Sequence, residues 1–238
     1  MTEEKNDHGI SIVACTNKMK YMDNIFANYA NQTLQEKELI IVLNNDSQDI
    51  NEWKKRASEY KNVRVFQLPE ETSLGNCLNF GREQARLSYV AKWDDDDYYG
   101  SAYLQEALQA FERTNADIIG KRTGYMYFQK TKELRLRFPG YESKRVRIVL
   151  GGTIIAKKSV MEEVPFLDRS LGEDVTFQDN ARAKGYRIFS TSRYNYTYFR
   201  WDSSDHTWKP RSSYLNRTSR HIGFTDDFKK IVDKDILE

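Results

Sequence analysis

The chain has 238 residues, 13% of them aromatic and 30% charged, with 37 basic against 35 acidic side chains and a formal net charge of +2. So even a balance leaves no global field to draw nucleic acid or a membrane surface, and the aromatic content argues against disorder. Cys15 and Cys77 are too few for a disulfide framework, and no run approaches the roughly 20 apolar residues that cross a bilayer.

The polar amino terminus, residues 1–9, lacks a basic stretch followed by an apolar one, so no signal peptide is expected. Residues 10–15 (ISIVAC) are a β-branched apolar run, the pattern of a strand buried on both faces. Met22, Ile25, Phe26 and Tyr29 then recur at helical spacing, and residues 39–43 (LIIVL) form a second buried strand stopped by Asn44, Asn45, Asp46 and Ser47. Ser47 or Asp49 caps a helix carrying Ile50, Trp53, Ala57 and Tyr60 on one face. A third strand over 63–68 ends at Pro69, a helix follows over about 73–87, and a fourth strand over 89–93 runs straight into Asp94–Asp97.

Strand–helix–strand units of this length predict a parallel sheet with right-handed crossovers, whose ligands bind at the carboxyl ends of the strands. Those ends are Thr16-Asn17, Asn44-Asn45-Asp46, the 68–69 loop and the four aspartates. Beyond a helix around 102–111 the pattern changes. Residues 117–129 are strand-rich and aromatic, and Leu134, Leu136 and Phe138 alternate with Arg135 and Arg137, which predicts a hairpin around 130–132. Gly151-Gly152 marks a bulge or a close backbone approach. A helix over 173–184 stopped by Gly185, then a strand over 186–190, precede a polar tail with a short helix over 225–236. One α/β domain with a mixed sheet is the simplest architecture.

Four adjacent carboxylates at the end of a buried strand repel one another. A divalent cation would offset that repulsion, because hard cations take several oxygen ligands and share them with phosphates. An EF-hand is excluded, since its sixth position would be Tyr99 instead of glycine and its twelfth Gln105 instead of glutamate. Glu173-Asp174 opens a helix, where capping alone accounts for an acidic pair; a carboxylate there can also take a proton from an incoming hydroxyl.

Taken together, these segments resemble family 2 glycosyltransferases of the GT-A fold over roughly residues 10–188. Residues 10–16 resemble the opening strand, Gln32-Thr33-Leu34 the Q-T-Y turn, residues 85–97 the A-x-G-x-Y-[IV]-x-x-[LW]-D-x-D-D pattern, and Gly172-Glu173-Asp174 with Gly185-Tyr186-Arg187-Ile188 the G-E-D…G-[YF]-[RK]-[IL] block. Leu87 replaces a glycine, Cys15 a proline, and Asn44-Asn45-Asp46-Ser47 stands for the usual D-D-G-S. Cys77-Leu78-Asn79-Phe80-Gly81 lacks the usual arginine of A-R-N-x-G. These departures resemble the bacterial subgroup associated with spore-coat maturation.

The resemblance implies a Rossmann-like, mostly parallel sheet flanked by helices, within a glycosyltransferase domain over 1–204. Its nucleotide-binding part would span about 10–100, its acceptor part about 101–204, and a tail 205–238. It implies an inverting transfer from a UDP- or dTDP-sugar to a hydroxyl of an unknown carbohydrate, peptide or lipid-linked acceptor, in the cytoplasm, with Mg²⁺ or Mn²⁺. Asp174 would be the general base beside Glu173; Thr16, Asn17, Asn45, Asp46, Asn79, Asp94 and Asp95 would hold the nucleotide. Asp96 and His206 would hold the metal, and Gly151, Gly152 and Trp201 would face the sugar, with Arg200 and Trp208 near the diphosphate. Two other readings stay open: a non-catalytic nucleotide-sugar-binding or scaffold module, motivated by Asn44-Asn45, and a nucleotidyltransferase, disfavoured because residues 16–19 (TNKM) offer no glycine-rich phosphate loop. Neither a nucleic-acid partner nor a membrane span is expected, and oligomerisation is left open.

Overall fold

Each of the apolar runs read from the sequence becomes a strand covered on both faces. The computed structural model describes residues 8–201 and 211–235. In it the strand β1 (Ile10–Thr16) lies between β2 (Lys37–Asn44) and β4 (Tyr89–Asp94), parallel to both, and β3 (Val63–Leu68) extends β2 on the outside. The helices between them, α1 (Met22–Asn31), α2 (Ile50–Ala57) and α3 (Leu74–Gln84), cover the two faces. Two of them start on side-chain caps: Asp49 accepts from the Asn51 N–H at 2.8 Å, and Ser73 from that of Asn76 at 3.3 Å. Parallel pairing brings the carboxyl ends of β1, β2 and β4, at Thr16, Asn44 and Asp94, to one edge.

After β4 the chain turns into the two-residue strand β5 (Tyr98–Tyr99) and the helix α4 (Tyr103–Arg113). Gln32 fixes this junction: its amide donates to the carbonyl of Gly100 at 2.9 Å and accepts from the Leu104 N–H at 3.1 Å. The sheet then continues through β6 (Ile118–Gly120), while β7 (Gly124–Phe128) and β8 (Glu133–Arg137) form the expected hairpin in a second sheet. The strands β9 (Lys144–Val146) and β10 (Ile155–Lys157), the helices α5 (Lys158–Glu163) and α6 (Glu173–Ala183), and the strand β11 (Ile188–Ser190) complete the first layer. Its eight strands run in the order β3-β2-β1-β4-β10-β6-β11-β9, mixed but mostly parallel.

The single mixed sheet expected from the sequence is therefore only part of the architecture. A five-stranded sheet, β13-β8-β7-β12-β5, packs beside it and uses β12 (Tyr196–Arg200), α7 (Ser212–Thr218), β13 (Ser219–Phe224) and α8 (Lys229–Val232). The helix expected over 225–236 is one short turn, and an unanticipated strand precedes it. Residues 219–224 pair antiparallel with β8, and Phe228 and Val232 are buried in this sheet's own core with Tyr125, Tyr127, Leu134 and Leu136.

Lys121 crosses from the first sheet to the second and is 1% exposed. Its ammonium donates to Glu106 Oε2 at 2.8 Å, to the Ser192 carbonyl at 3.0 Å and to Thr191 Oγ1 at 3.1 Å. Burial raises the pKa of Glu106, but the Lys121 charge outweighs it and holds this carboxyl below the usual range. Lys121→Met would strand the Glu106 charge in the interior, so equilibrium denaturation should show a loss of about 3–5 kcal/mol.

Candidate active site

The pleat of β4 puts Lys92 and Asp94 on one face and Trp93 on the other. Trp93 stacks on Tyr99 with ring centroids 4.2 Å apart, and the Tyr99 hydroxyl accepts from the Asp94 N–H at 2.8 Å while donating to the Gly152 carbonyl at 2.7 Å. The end of β4 is thereby fixed against the 151–153 turn. Lys92 is a buried lysine whose ammonium is paired with Asp94 Oδ1. Burial opposes its charge, but Asp94, Glu173 and Asp174 outweigh burial and keep it protonated above the usual lysine range.

The four aspartates have four different environments. Asp94 pairs with Lys92. Asp95 accepts from Thr16 Oγ1 at 2.5 Å; burial pushes its carboxyl up to about 6 although that bond favours the anion. Burial, and then the charges of Asp95 and Asp94, push Asp96 up to about 7. Asp97 has no exposed surface: it accepts from the Tyr196 hydroxyl at 2.6 Å and from the Phe199 N–H at 3.0 Å.

Gly151 and Gly152 stand where these groups meet. A Cβ on Gly151 would lie 2.0 Å from Asp174 Oδ2, and one on Gly152 2.7 Å from Asp94 Oδ2 and 3.0 Å from Asp97 Oδ2. No larger side chain fits either position, which is the close approach that the glycine pair signalled. Asp174 reaches Gly151 from the first turn of α6, which begins at Gly172 with φ +77°. Gln178 on the same helix accepts from the Val149 N–H at 2.7 Å and so locks α6 to the loop. Glu173 is 5% exposed, and burial raises its pKa despite the nearby Lys92.

Lys92, Asp94, Gly151, Gly152, Glu173 and Asp174 line a cleft of about 720 Å³ that also takes in Thr16, Asn17, Asn44, Asp95 and Asp96, together with Arg122, Arg137, Phe138, Tyr198 and Tyr214. Not all residues singled out in the sequence reach it. Asn45 shapes its rim by donating to the Asn17 carbonyl at 3.1 Å, while Asp46 is exposed and outside the lining. Asn79 is away from the cleft as well: its amide donates to the Phe166 carbonyl at 2.8 Å and accepts from the Phe166 N–H at 3.0 Å. That pairing ties α3 to the chain after α5. Trp201 covers the back of the acidic turn, donating from Nε1 to the Asp96 carbonyl at 3.2 Å. His206 and Trp208 lie outside the described residues.

Sequence reasoning missed Lys92 and the Arg122–Arg137–Phe138 wall. Lys92 carried a legible signal, a lone cation in an otherwise apolar strand two residues before a carboxylate. The wall had none, because the hairpin alternation alone does not say which layer its arginines face.

Among the described residues, no group of three or more His, Cys, Asp or Glu side chains forms a ready metal cage. The donor chemistry nevertheless fits a hard dication: Asp96 is a desolvated carboxylate raised by two neighbouring anions, and oxygen ligands from a diphosphate would complete the set.

A mostly parallel sheet with an acidic turn at the end of β4 and a glycine pair beside a helix-borne carboxylate defines the GT-A class of glycosyltransferase. The model of the glycosyl transferase family 2 matches residues 11–167, well over half of the chain, and the chain belongs to that family. It is similar to the cholesterol galactosyltransferase of Borreliella burgdorferi, with 29% identity over 149 residues, which are 59% of this chain and 40% of that protein. In fold it is similar to Staphylococcus aureus TarS 1-349 in complex with UDP-GlcNAc, at a TM-score of 0.67 and 18% identity over 84% of this chain and 62% of that one. It is also similar to the mannosyltransferase PcManGT of Pyrobaculum calidifontis in complex with GDP-Man and Mn²⁺, at a TM-score of 0.61 and 13% identity over 80% of this chain and 56% of that one. The chain spans less than two thirds of each of these relatives. No helix among the described residues is long and apolar enough to cross a membrane.

The buried Glu173 has a checkable pH signature. Its folded pKa lies above its unfolded value, so its ionised form weakens the fold at neutral pH and its protonated form does not. Glu173→Gln should raise the melting temperature at pH 7, with the gain shrinking to nothing as the pH falls below about 4.5, the unfolded value.

Proposed function

We propose that this protein transfers a sugar from a nucleotide-sugar, a UDP- or dTDP-sugar, to a hydroxyl of its acceptor with inversion at the anomeric carbon. The observation that carries this reading is the meeting of Asp174, Asp94 and Gly151-Gly152 in one cleft, at atom separations that leave no room for a Cβ between them. Support for the donor comes from the complexes of structural neighbours, which hold UDP-GlcNAc and GDP-Man.

The base and ribose would lie along Thr16, Asn17 and Asn44, with Asn45 setting the Asn17 backbone and Asp94 and Asp95 at the ribose end. Asp174 Oδ2 faces Gly151 and would take the proton of the acceptor hydroxyl. The hydroxyl oxygen then forms a bond to the anomeric carbon opposite the nucleoside diphosphate, whose bond to that carbon breaks and which leaves with the electron pair. Lys92 counters the summed charge of Asp94, Glu173 and Asp174 and so keeps these carboxylates together in a water-poor site. Asp96, with Asp95 beside it, would hold a divalent cation, Mg²⁺ or Mn²⁺, together with His206 of the undescribed segment. When bound, that ion would offset the charge growing on the leaving diphosphate. A scaffold role gives no reason to maintain a crowded acidic site of this kind, so we favour the enzyme.

Incubating the protein with UDP- and dTDP-sugars, with and without Mn²⁺, and following release of the nucleoside diphosphate is the direct assay. Asp174→Asn should lower turnover by about 10²–10⁴-fold while leaving nucleotide affinity within about twofold. Asp96→Ala should weaken nucleotide binding only when the cation is present. If Asp174→Asn turns over as the native protein does, its role as base is wrong.

A further inference from the structure

The segment 121–147 carries nine basic residues against two acidic ones, an asymmetry hidden in a chain of net charge +2. Both acids are engaged elsewhere: Glu142 pairs with Arg193 at 2.5 Å, and Glu133 with Arg135 at 2.8 Å and with His221 at 2.9 Å. Arg122 and Arg137 instead line the same cleft as Asp174. Among the described residues, no carboxylate pairs with Arg122; its guanidinium lies 3.7 Å from the centroid of the Phe138 ring, and that of Arg137 lies 4.8 Å from the same centroid. Burial lowers the pKa of both guanidiniums, and the Arg122 charge lowers that of Arg137 further. Two cations thus share one ring at the lining of the cleft.

The ring is held in place at a cost. Phe138 adopts φ +45°, a left-handed backbone that a bulky side chain rarely takes. Neighbours impose it. The Phe138 N–H donates to the Thr218 carbonyl at 2.8 Å, and the buried Thr123 hydroxyl donates to the Phe138 carbonyl while accepting from the Tyr141 N–H at 3.0 Å. A strained aromatic beneath two forked donors is a feature of ligand clamps rather than of a solvated surface, and guanidiniums match oxyanions through paired N–H groups.

We propose that Arg122 and Arg137, carried on the Phe138 ring, bind an oxyanion of the acceptor, so that the hydroxyl delivered to Asp174 belongs to a molecule bearing a phosphate or carboxylate group. This rests on the glycosyltransferase reading, with the donor on the β1–β2 side and the acceptor on the side of the second sheet. Tyr198 and Tyr214 line the same cleft, and both act electrostatically on Arg137.

The test uses the full chain, first titrated with UDP, dTDP and GDP in the presence of Mn²⁺, then saturated with whichever binds and titrated with glucose 6-phosphate, glucuronate or glucose. The charged probes should bind at least tenfold more tightly than glucose, and the preference between phosphate and carboxylate names the source of the oxyanion. Arg122→Gln should reduce charged-probe affinity about tenfold, Arg122→Lys should recover part of it, and nucleotide affinity should stay within twofold in both. Equal binding of glucose and the charged probes overturns the proposal, as does a parallel loss of nucleotide affinity in Arg122→Gln, which would place the wall on the donor. Failure of every nucleotide to bind the native protein would instead remove the glycosyltransferase reading beneath it.

Discussion

The site depends on a carboxylate that never meets solvent. Asp97 accepts from Tyr196 and Phe199 of the second sheet, while its main-chain carbonyl accepts from Asn24 at 2.9 Å and from Asn28 at 2.9 Å on α1. One residue therefore ties the end of β4, the first helix and the second sheet to a common point. Burial raises the Asp97 pKa well above the usual carboxylate range, while the Tyr196 and Phe199 donors oppose that shift and satisfy the buried oxygens, which would be costly to leave without partners. Their placement fixes the turn that carries Asp94, Asp95 and Asp96 and sets β12 beside it.

With that anchor in place, the chemistry of the cleft follows from crowding. Three further carboxylates of the turn and two from α6 share a small volume with Lys92 as their buried counter-charge. Gly151 and Gly152 admit Asp174 and Asp94 only because they lack side chains. Such an arrangement weakens the apo fold, as the raised pKa of Glu173 and Asp96 records, and a ligand that brings positive charge to Asp96 would relieve it. Sites that spend stability in this way are where function is expected.

Much of this was legible in the residues. The runs ISIVAC and LIIVL are long, β-branched and bounded by polar residues, so only a doubly covered strand suits them, and parallel pairing then sends their ends to one edge. The aspartate turn was visible because four adjacent carboxylates repel one another, and the glycine pair because it marks a close backbone approach, whereas Glu173-Asp174 read as a site only beside the other motifs. The second sheet was not. Its strand β5 has two residues, and β13 is an edge strand with four exposed residues and no clear alternation, so neither periodicity nor length marks it. Asn79 and Asp97 show the other limit. A polar residue in a motif reads alike whether it faces the ligand or satisfies a backbone, and only the fold decides that Asn79 serves Phe166 and Asp97 serves β12.

On the proposed reading, one cleft holds a nucleotide on its β1–β2 side and keeps the Asp174 side for a hydroxyl acceptor. A crystal structure of the protein soaked with UDP and Mn²⁺ measures this directly. The uracil and ribose should lie along Thr16, Asn17 and Asn44, with the diphosphate and cation at Asp96 and the part of the cleft lined by Asp174 and Arg122 left clear. A nucleotide seated instead between Arg122 and Asp174, or outside this cleft, would contradict it.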